Sequence, residues 1–268
     1  MPMKLPFINR KPTVAVIRLQ GLIGTAARPG AAALSDAGLQ PLLERAFTRK
    51  KPVALALAVN SPGGSPVQSS LIGARIRRLS EKHDVPVHAF VEDVAASGGY
   101  WLACAADRIW ADESSILGSI GVISAGFGFT ELIERWGIER RVHTSGRSKS
   151  QLDPFRPEKP EDVERLDAIL NTIHDSFRDH VRARRGDKLA DAEDLFTGAF
   201  WTGRRAIELG LADGIGHLEP TMRDLFGDVR FERYGIRQPW FRRLGLSGEA
   251  LLGAADERAA FARFGVGR

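Results

Sequence analysis

The chain is nearly without cysteine, holding one residue, Cys104, in 268. That excludes an internal disulfide framework and fits a reducing compartment. Cys104 sits in the apolar run Trp101-Leu102-Ala103-Cys104-Ala105-Ala106, where a thiol packs as a small hydrophobe. No zinc-spaced Cys/His cluster and no RNA-binding signature occur, so neither a metal nor another cofactor is expected. Long apolar runs are missing too. Nowhere stand the ~18–20 continuous apolar residues of a membrane span. The first residues, with Pro2 and Pro6, lack the apolar core of a signal peptide. The expected location is the cytoplasm, or at most the surface of a membrane.

A strong charge of one sign is also absent from the body. The formal net charge is +5, but residues 229–268 carry eight Lys/Arg against four Asp/Glu. The remainder is nearly neutral, which argues against a nucleic-acid channel. The 43% hydrophobic content is ample for one large core. The expected organisation is an N-terminal segment (1–12), one catalytic domain (13–232) and a basic, aromatic-bearing tail (233–268).

Strand and helix patterns alternate along the domain, which predicts an α/β fold. Strands are expected at 13–19, 53–59, 85–91, 108–111, 120–123, 139–144 and near Val229. The run 53–59 is almost wholly apolar, as for a central strand covered on both sides. Helices are expected from Ser35 to Arg49, 67–83, 96–106, 129–136, 190–195 and 204–209. A long helix from Pro160 to Arg185 carries the stripe Val163, Leu166, Ile169, Leu170, Ile173 and Phe177.

Three segments carry candidate chemistry. In Ala96-Ser97-Gly98-Gly99, Ser97 stands where a strand feeds a helix, so unpaired N–H groups and the helix dipole favour developing negative charge. The alternative is a helix-capping serine. Asn60-Ser61-Pro62-Gly63-Gly64 follows a buried strand and can present a backbone N–H, or be an ordinary strand-to-helix loop. It lacks the Gly-Lys-Ser/Thr of a phosphate loop. Lys149, in Ser145-Gly146-Arg147-Ser148-Lys149-Ser150, is a candidate base, or a solvated loop lysine. A lysine serves as base only when neutral, and burial favours that form. The neighbouring hydroxyls of Ser145, Ser148 and Ser150, or that of Ser119, are candidates to orient its amine. Nucleophile, base and two oxyanion turns suffice for acyl transfer without histidine. The six histidines lie in no triad motif, although triad members need not be sequence neighbours.

Taken together, residues 13–220 resemble the signal peptide peptidase A family, also called protease IV. The resemblance rests on Asn60–Gly64, Asp93–Tyr100, Gly118–Ile123, Ser145-Gly146 with Lys149 and Pro154-Phe155, and Phe196–Asp213. It implies a Clp/crotonase-like fold of βαβ-type repeats. It implies Ser97 as nucleophile, Lys149 as general base and Ser119 as the hydroxyl holding the lysine. Oxyanion donors would come from Gly98 and the Gly63–Gly64 turn, with Gly64 foremost. It further implies a ring-shaped homo-oligomer cleaving exposed or unfolded peptides, remnant signal peptides among them, at small or aliphatic side chains. Many relatives carry a membrane anchor or two tandem domains; neither is seen in this sequence, so a short, unanchored member is expected. Two rivals keep the same fold: a crotonase-type acyl-CoA enzyme, which needs an acidic residue in its pocket, and an inactive scaffold. In the tail, Trp240, Phe241, Phe261 and Phe264 alternate with arginines such as Arg242 and Arg258. That pattern suits contact with an anionic membrane, or packing on a neighbouring subunit.

Overall fold

Three parallel strands, apolar on both faces, form the centre of an eight-stranded sheet. The structure, a computed structural model, describes residues 11–24, 33–146, 148–235, 255 and 257–266. β1 (Thr13–Gln20), β2 (Ala54–Ser61) and β3 (Val87–Ala96) lie side by side, with β2 between the others. Every residue of β2 is buried: the apolar run through Val59 requires it, and the polar Asn60 and Ser61 at its end are hydrogen-bonded. Helices α1 (Asp36–Thr48) and α2 (Pro66–His83) make the crossovers between them. Ser35 caps α1 by accepting the N–H of Gly38, and Ser65 caps α2 by accepting that of Gln68. Leu39, Leu43 and Phe47 of α1 and Ile72 and Ile76 of α2 are buried against one face of the sheet.

Beyond β3 the sheet forks. The first half of β3 pairs with β4 (Arg108–Ala111) through His88–Val91. Its second half pairs with β5 (Ile116–Gly118) through Val94–Ala96. The Ser115 hydroxyl donates to the carbonyls of Val91 and Glu92 and so closes the fork. On the other edge of β3 the register with β2 shifts between Val59 and Ser61. Asn60 bridges that shift: its Nδ2 donates to Asp93 Oδ2 at 2.6 Å, and its Oδ1 accepts the N–H of Val94 at 3.3 Å. Asn60 and Ser115 thus give the last three residues of β3 neighbours of their own, and Ser97 follows directly.

The remaining elements are short apart from one. After α3 (Gly98–Ala103) and α4 (Thr130–Arg135) comes the 26-residue α5 (Pro160–Arg185). Next are β6 (Phe200–Thr202), antiparallel to β5, then α6 (Gly203–Glu208) and β7 (Gly214–Ile215) beside β4. Last come α7 (Leu218–Phe226), whose Met222 packs under Val14, Ala56 and Phe90, and β8 (Arg230–Tyr234), parallel to β1.

The end of α5 fastens α3 in place. His180 stacks on Trp101 with ring centroids 4.4 Å apart, and Phe177 packs against the same indole at 5.1 Å. Arg184 donates to the carbonyls of Cys104 and Ala106 in the turn that follows α3. Arg185, 4% exposed, donates to the Gly210 carbonyl and pairs with Asp213 at 2.8 Å.

Several expected elements are different. The strand expected at 120–123 is absent, because Gly118 and Ser119 take positive φ (111° and 52°) and end β5 before Ile120. Residues 139–144 form no strand; they are largely exposed, with no strand partner. Residues 190–195 are turns closed by short-range bonds such as Leu195 N–H to Ala192 O, not a helix. Of the stripe expected along α5, only Phe177 is buried, and Ile169 is half exposed. Trp240, Phe241 and Arg242 of the tail lie outside the described residues.

Candidate active site

Ser97 is the first residue past the C-terminal end of β3, the end at which parallel α/β sheets bind their ligands. Its backbone is strained, with φ 52° and ψ −122°. Two bonds hold it there: the Ser97 N–H donates to Gly118 O at 2.9 Å, and the Ser97 carbonyl accepts the N–H of Trp101 at 3.0 Å. A strained strand-to-helix turn is the geometry that exposes a serine hydroxyl. Ser97 occupies the cap position of α3, yet its side chain makes no capping bond. Helix capping therefore does not account for it. Its side chain lines a cavity of about 560 Å³.

Glycines bring two backbone N–H groups to the same place. A Cβ on Gly63, whose φ is +105°, would lie 2.8 Å from Ser97 Cβ and 2.9 Å from Gly98 N. The Asn60–Gly64 turn thus packs directly against the back of Ser97, and only glycine fits there. A Cβ on Gly98 would meet Ser69 Oγ at 2.4 Å and Gly64 N at 3.4 Å. Gly64 and Gly98 both line the cavity, while Gly63 stands behind it. The N–H groups of Gly64 and Gly98 have no hydrogen-bond partner among the described residues. The turn itself is rigid: Ser61 Oγ donates to Gly21 O and accepts the N–H of Gly63, and Ile23 N–H donates to Gly63 O. Two backbone N–H groups without partners among the described residues, beside a serine hydroxyl, are what an oxyanion hole needs.

The rest of the wall is largely apolar. Trp101, Val122, Ile123, Ile173, Phe177 and Phe264 line it, with the hydroxyls of Ser69, Ser119 and Thr197. Ser119 is 6% exposed and sits on the φ 52° turn after β5. No carboxylate lines the cavity among the described residues, which leaves a crotonase-type reading without its acid. Lys149 is elsewhere: it is exposed, on the irregular segment between α4 and α5, and does not line this cavity. The structure thus brings together Ser97, Gly64, Gly98 and Ser119, with Gly63 behind them, and does not bring in Lys149.

Among the wall residues that sequence reasoning missed are His174, Arg263 and Phe264. His174 Nε2 donates to the Ile120 carbonyl at 3.1 Å, which leaves Nδ1 unprotonated in the neutral ring. Its sequence signal is the spacing His174, Phe177, Val181 along one helix face. Phe261 and Phe264, expected at a membrane or a neighbouring subunit, are instead buried against Val94 and Ala96 of β3.

The titratable groups around the site are set by burial. Burial brings His180 down to about 4, against the smaller opposing effect of its bond to the Trp101 carbonyl. Burial pushes the Cys104 thiol up to about 12, making it an inert structural group, as its apolar run suggests. Burial raises Asp213 as well, but hydrogen bonds from Arg185, Lys188 and the N–H of Ile109 overcome it and hold the carboxyl at about 2. Asp213 therefore stays ionised as the anchor of α5.

A strained serine after a parallel strand, beside two N–H groups without partners among the described residues, is an arrangement suited to acyl transfer in an α/β fold. Comparison with known proteins narrows this. Residues 80–229 match the family model described as Peptidase family S49. The chloroplastic serine protease SPPA of Arabidopsis thaliana is 33% identical over 210 residues, 76% of this chain and 31% of that protein. A protein named Na(+)/H(+) antiporter NhaA from Brucella abortus is 47% identical over 276 residues, 94% of this chain and 37% of its own length. The chain thus spans about a third of the length of these two relatives. Among solved structures, the 1510-N membrane-bound stomatin-specific protease in complex with a substrate peptide aligns with TM-score 0.52 at 14% identity, covering 91% of this chain and 99% of that one. The chain belongs to peptidase family S49, a family of proteases, and its fold is Clp/crotonase-like.

Proposed function

We propose that the chain is a serine–lysine endopeptidase acting on exposed or unfolded peptides. The observation that carries this is Ser97, strained and uncapped, beside the unpaired N–H groups of Gly64 and Gly98. In the proposed reaction the neutral Lys149 amine takes the Ser97 proton as Oγ attacks a peptide carbonyl. The oxyanion rests on the two N–H groups. Lys149 then protonates the departing amine, and water hydrolyses the ester, returning the proton to Ser97. The apolar wall favours small or aliphatic side chains next to the cut, remnant signal peptides included.

Lys149 reaches Ser97 in an assembly, in this reading a homo-oligomeric ring. The segment that carries it, 122–159, exposes Phe127 (81%), Trp136 (73%) and Ile123 (65%), and none of α4 is buried. So much apolar surface marks an interaction face, and its occupant is a second copy of this chain. Ser119, buried in the cavity wall, then orients the incoming amine.

The proposed workplace is the cytoplasmic side of a membrane surface. The names of the Brucella relative and of the stomatin-specific protease, an antiporter and a membrane-bound enzyme, support that setting. Transport is not part of the reading. The chain spans 37% of the antiporter-named protein, and among the described residues no helix is long and apolar enough to cross a membrane.

A second reading rests on His174, which lines the cavity with Nε2 on the Ile120 carbonyl and would offer Nδ1 as base in place of Lys149. Peptide cleavage by Lys149→Ala and His174→Ala separates the two. Activity abolished by the first and retained by the second supports the lysine. The reverse pattern would transfer the role to His174.

A further inference from the structure

The Ser97 cavity has one wall built from the far end of the chain. Residues 257–262 are helical, and the segment closes with the N–H of Phe264 donating to Phe261 O at 2.9 Å. Phe261 is fully buried among Val94, Ala96 and Ile116, the strand ends that carry the nucleophile. Phe264, 7% exposed, sits edge-on to Phe200 of β6 with centroids 5.1 Å apart. These two anchors fix the backbone of Ala262 and Arg263 between them. Arg263 is exposed, lines the cavity and has no carboxylate partner among the described residues. Its guanidinium lies 5.8 Å from the Phe264 ring. Arginine is permanently charged and presents a fork that fits a carboxylate. His174 is the other titratable group in the described lining, which contains no acid to oppose the cation.

We propose that Arg263 is a specificity-determining residue: it selects peptides that place a carboxylate beside the residue held in the apolar part of the cleft. The carboxylate is either an acidic side chain or the C-terminus of the substrate chain. This inference rests on the peptidase reading, since the selected ligand is a peptide. The anchors fix the backbone from which the charge is presented at the cavity wall. Because Arg263 is exposed, the preference is modest, about three- to tenfold, and salt weakens it.

The test uses the full chain and four peptides of one apolar core sequence: with Glu, with Gln, with a free C-terminus and with an amidated C-terminus. The readouts are kcat/KM for cleavage by wild type, Arg263→Ala, Arg263→Glu and Arg263→Lys, and Kd for the same peptides on Ser97→Ala with and without each Arg263 change. The expected result is a three- to tenfold Glu-over-Gln or free-over-amidated preference. Arg263→Ala abolishes it, Arg263→Glu inverts it, Arg263→Lys largely keeps it, and 0.5 M salt diminishes it. The pair that responds identifies the source of the carboxylate. Equal handling of all four peptides by wild type, or a preference unchanged in Arg263→Glu, overturns the inference. If wild type cleaves nothing, the peptidase reading fails, and the Kd ratios on Ser97→Ala still decide the role of Arg263.

Discussion

At the scale of single residues, the site is a matter of clearances of a few tenths of an ångström. Gly63 is the sharpest case. An added methyl there would overlap Ser97 Cβ and Gly98 N, at a φ that other residues rarely adopt. Gly63→Ala is expected to displace the nucleophile and one oxyanion donor together. Cleavage should fall by about 10²–10³-fold, the usual cost of a lost donor, while the circular dichroism spectrum keeps its native form. Near-normal kcat in a folded Gly63→Ala protein would remove the turn from the mechanism. Much at this scale was legible: Ser97, Gly64, Gly98 and Ser119 were named from sequence, and all line one cavity. Arg263 was not, because nothing local in Phe261-Ala262-Arg263-Phe264 reveals that two aromatics fold back onto β3, more than 160 positions earlier.

At the scale of elements, α3, the six-residue helix after Ser97, is too short to hold its own position. Its last carbonyls, of Tyr100, Leu102 and Ala103, accept the N–H groups of Cys104, Ala105 and Ala106, but this turn gives it no anchor on the rest of the fold. The last turns of α5 supply what it lacks, through the stack of His180 on Trp101 and the two bonds from Arg184. This docking is pH-sensitive in a definite direction. The folded His180 titrates at about 4, whereas an unfolded histidine titrates at about 6.5. Between those values the unfolded chain binds a proton that the folded chain refuses. The contribution is therefore complete above pH 6.5 and is lost as pH falls toward 4. At pH 5 the loss from this group is about 2 kcal/mol. Urea unfolding at pH 7 and pH 5 should show a smaller loss for His180→Phe than for wild type; equal losses would show that His180 is not the source. Long elements were readable from pattern: Pro160–Arg185 was expected with those same ends, and β2 from its unbroken apolar run. β5 and β6, with three residues each, are too short to show a period, and so the fork beside the nucleophile was invisible.

At the scale of the whole molecule, several large apolar side chains lack cover. Phe127, Trp136 and Ile138 are exposed on the segment that carries Lys149, and Ile169 of α5 is half exposed. In sequence Ile169 reads as part of the buried stripe of its helix. Periodicity reports that a residue is apolar, not whether its cover comes from the same chain. If a second copy provides that cover, Phe127→Glu with Trp136→Glu should lower the mass seen in analytical ultracentrifugation and abolish cleavage together. A double variant that keeps the wild-type mass and activity would reject the assembly. The pairing of both effects matters, because loss of activity alone would not locate Lys149.

The central claim is that Ser97 is a peptidase nucleophile. Its most direct test is cleavage of fluorogenic peptides and an unfolded protein by wild type and Ser97→Ala, with mass spectrometry of the products. Wild type is expected to cut beside small or aliphatic residues, and Ser97→Ala to give no cuts above background. The same products at the same rate from Ser97→Ala would contradict the claim.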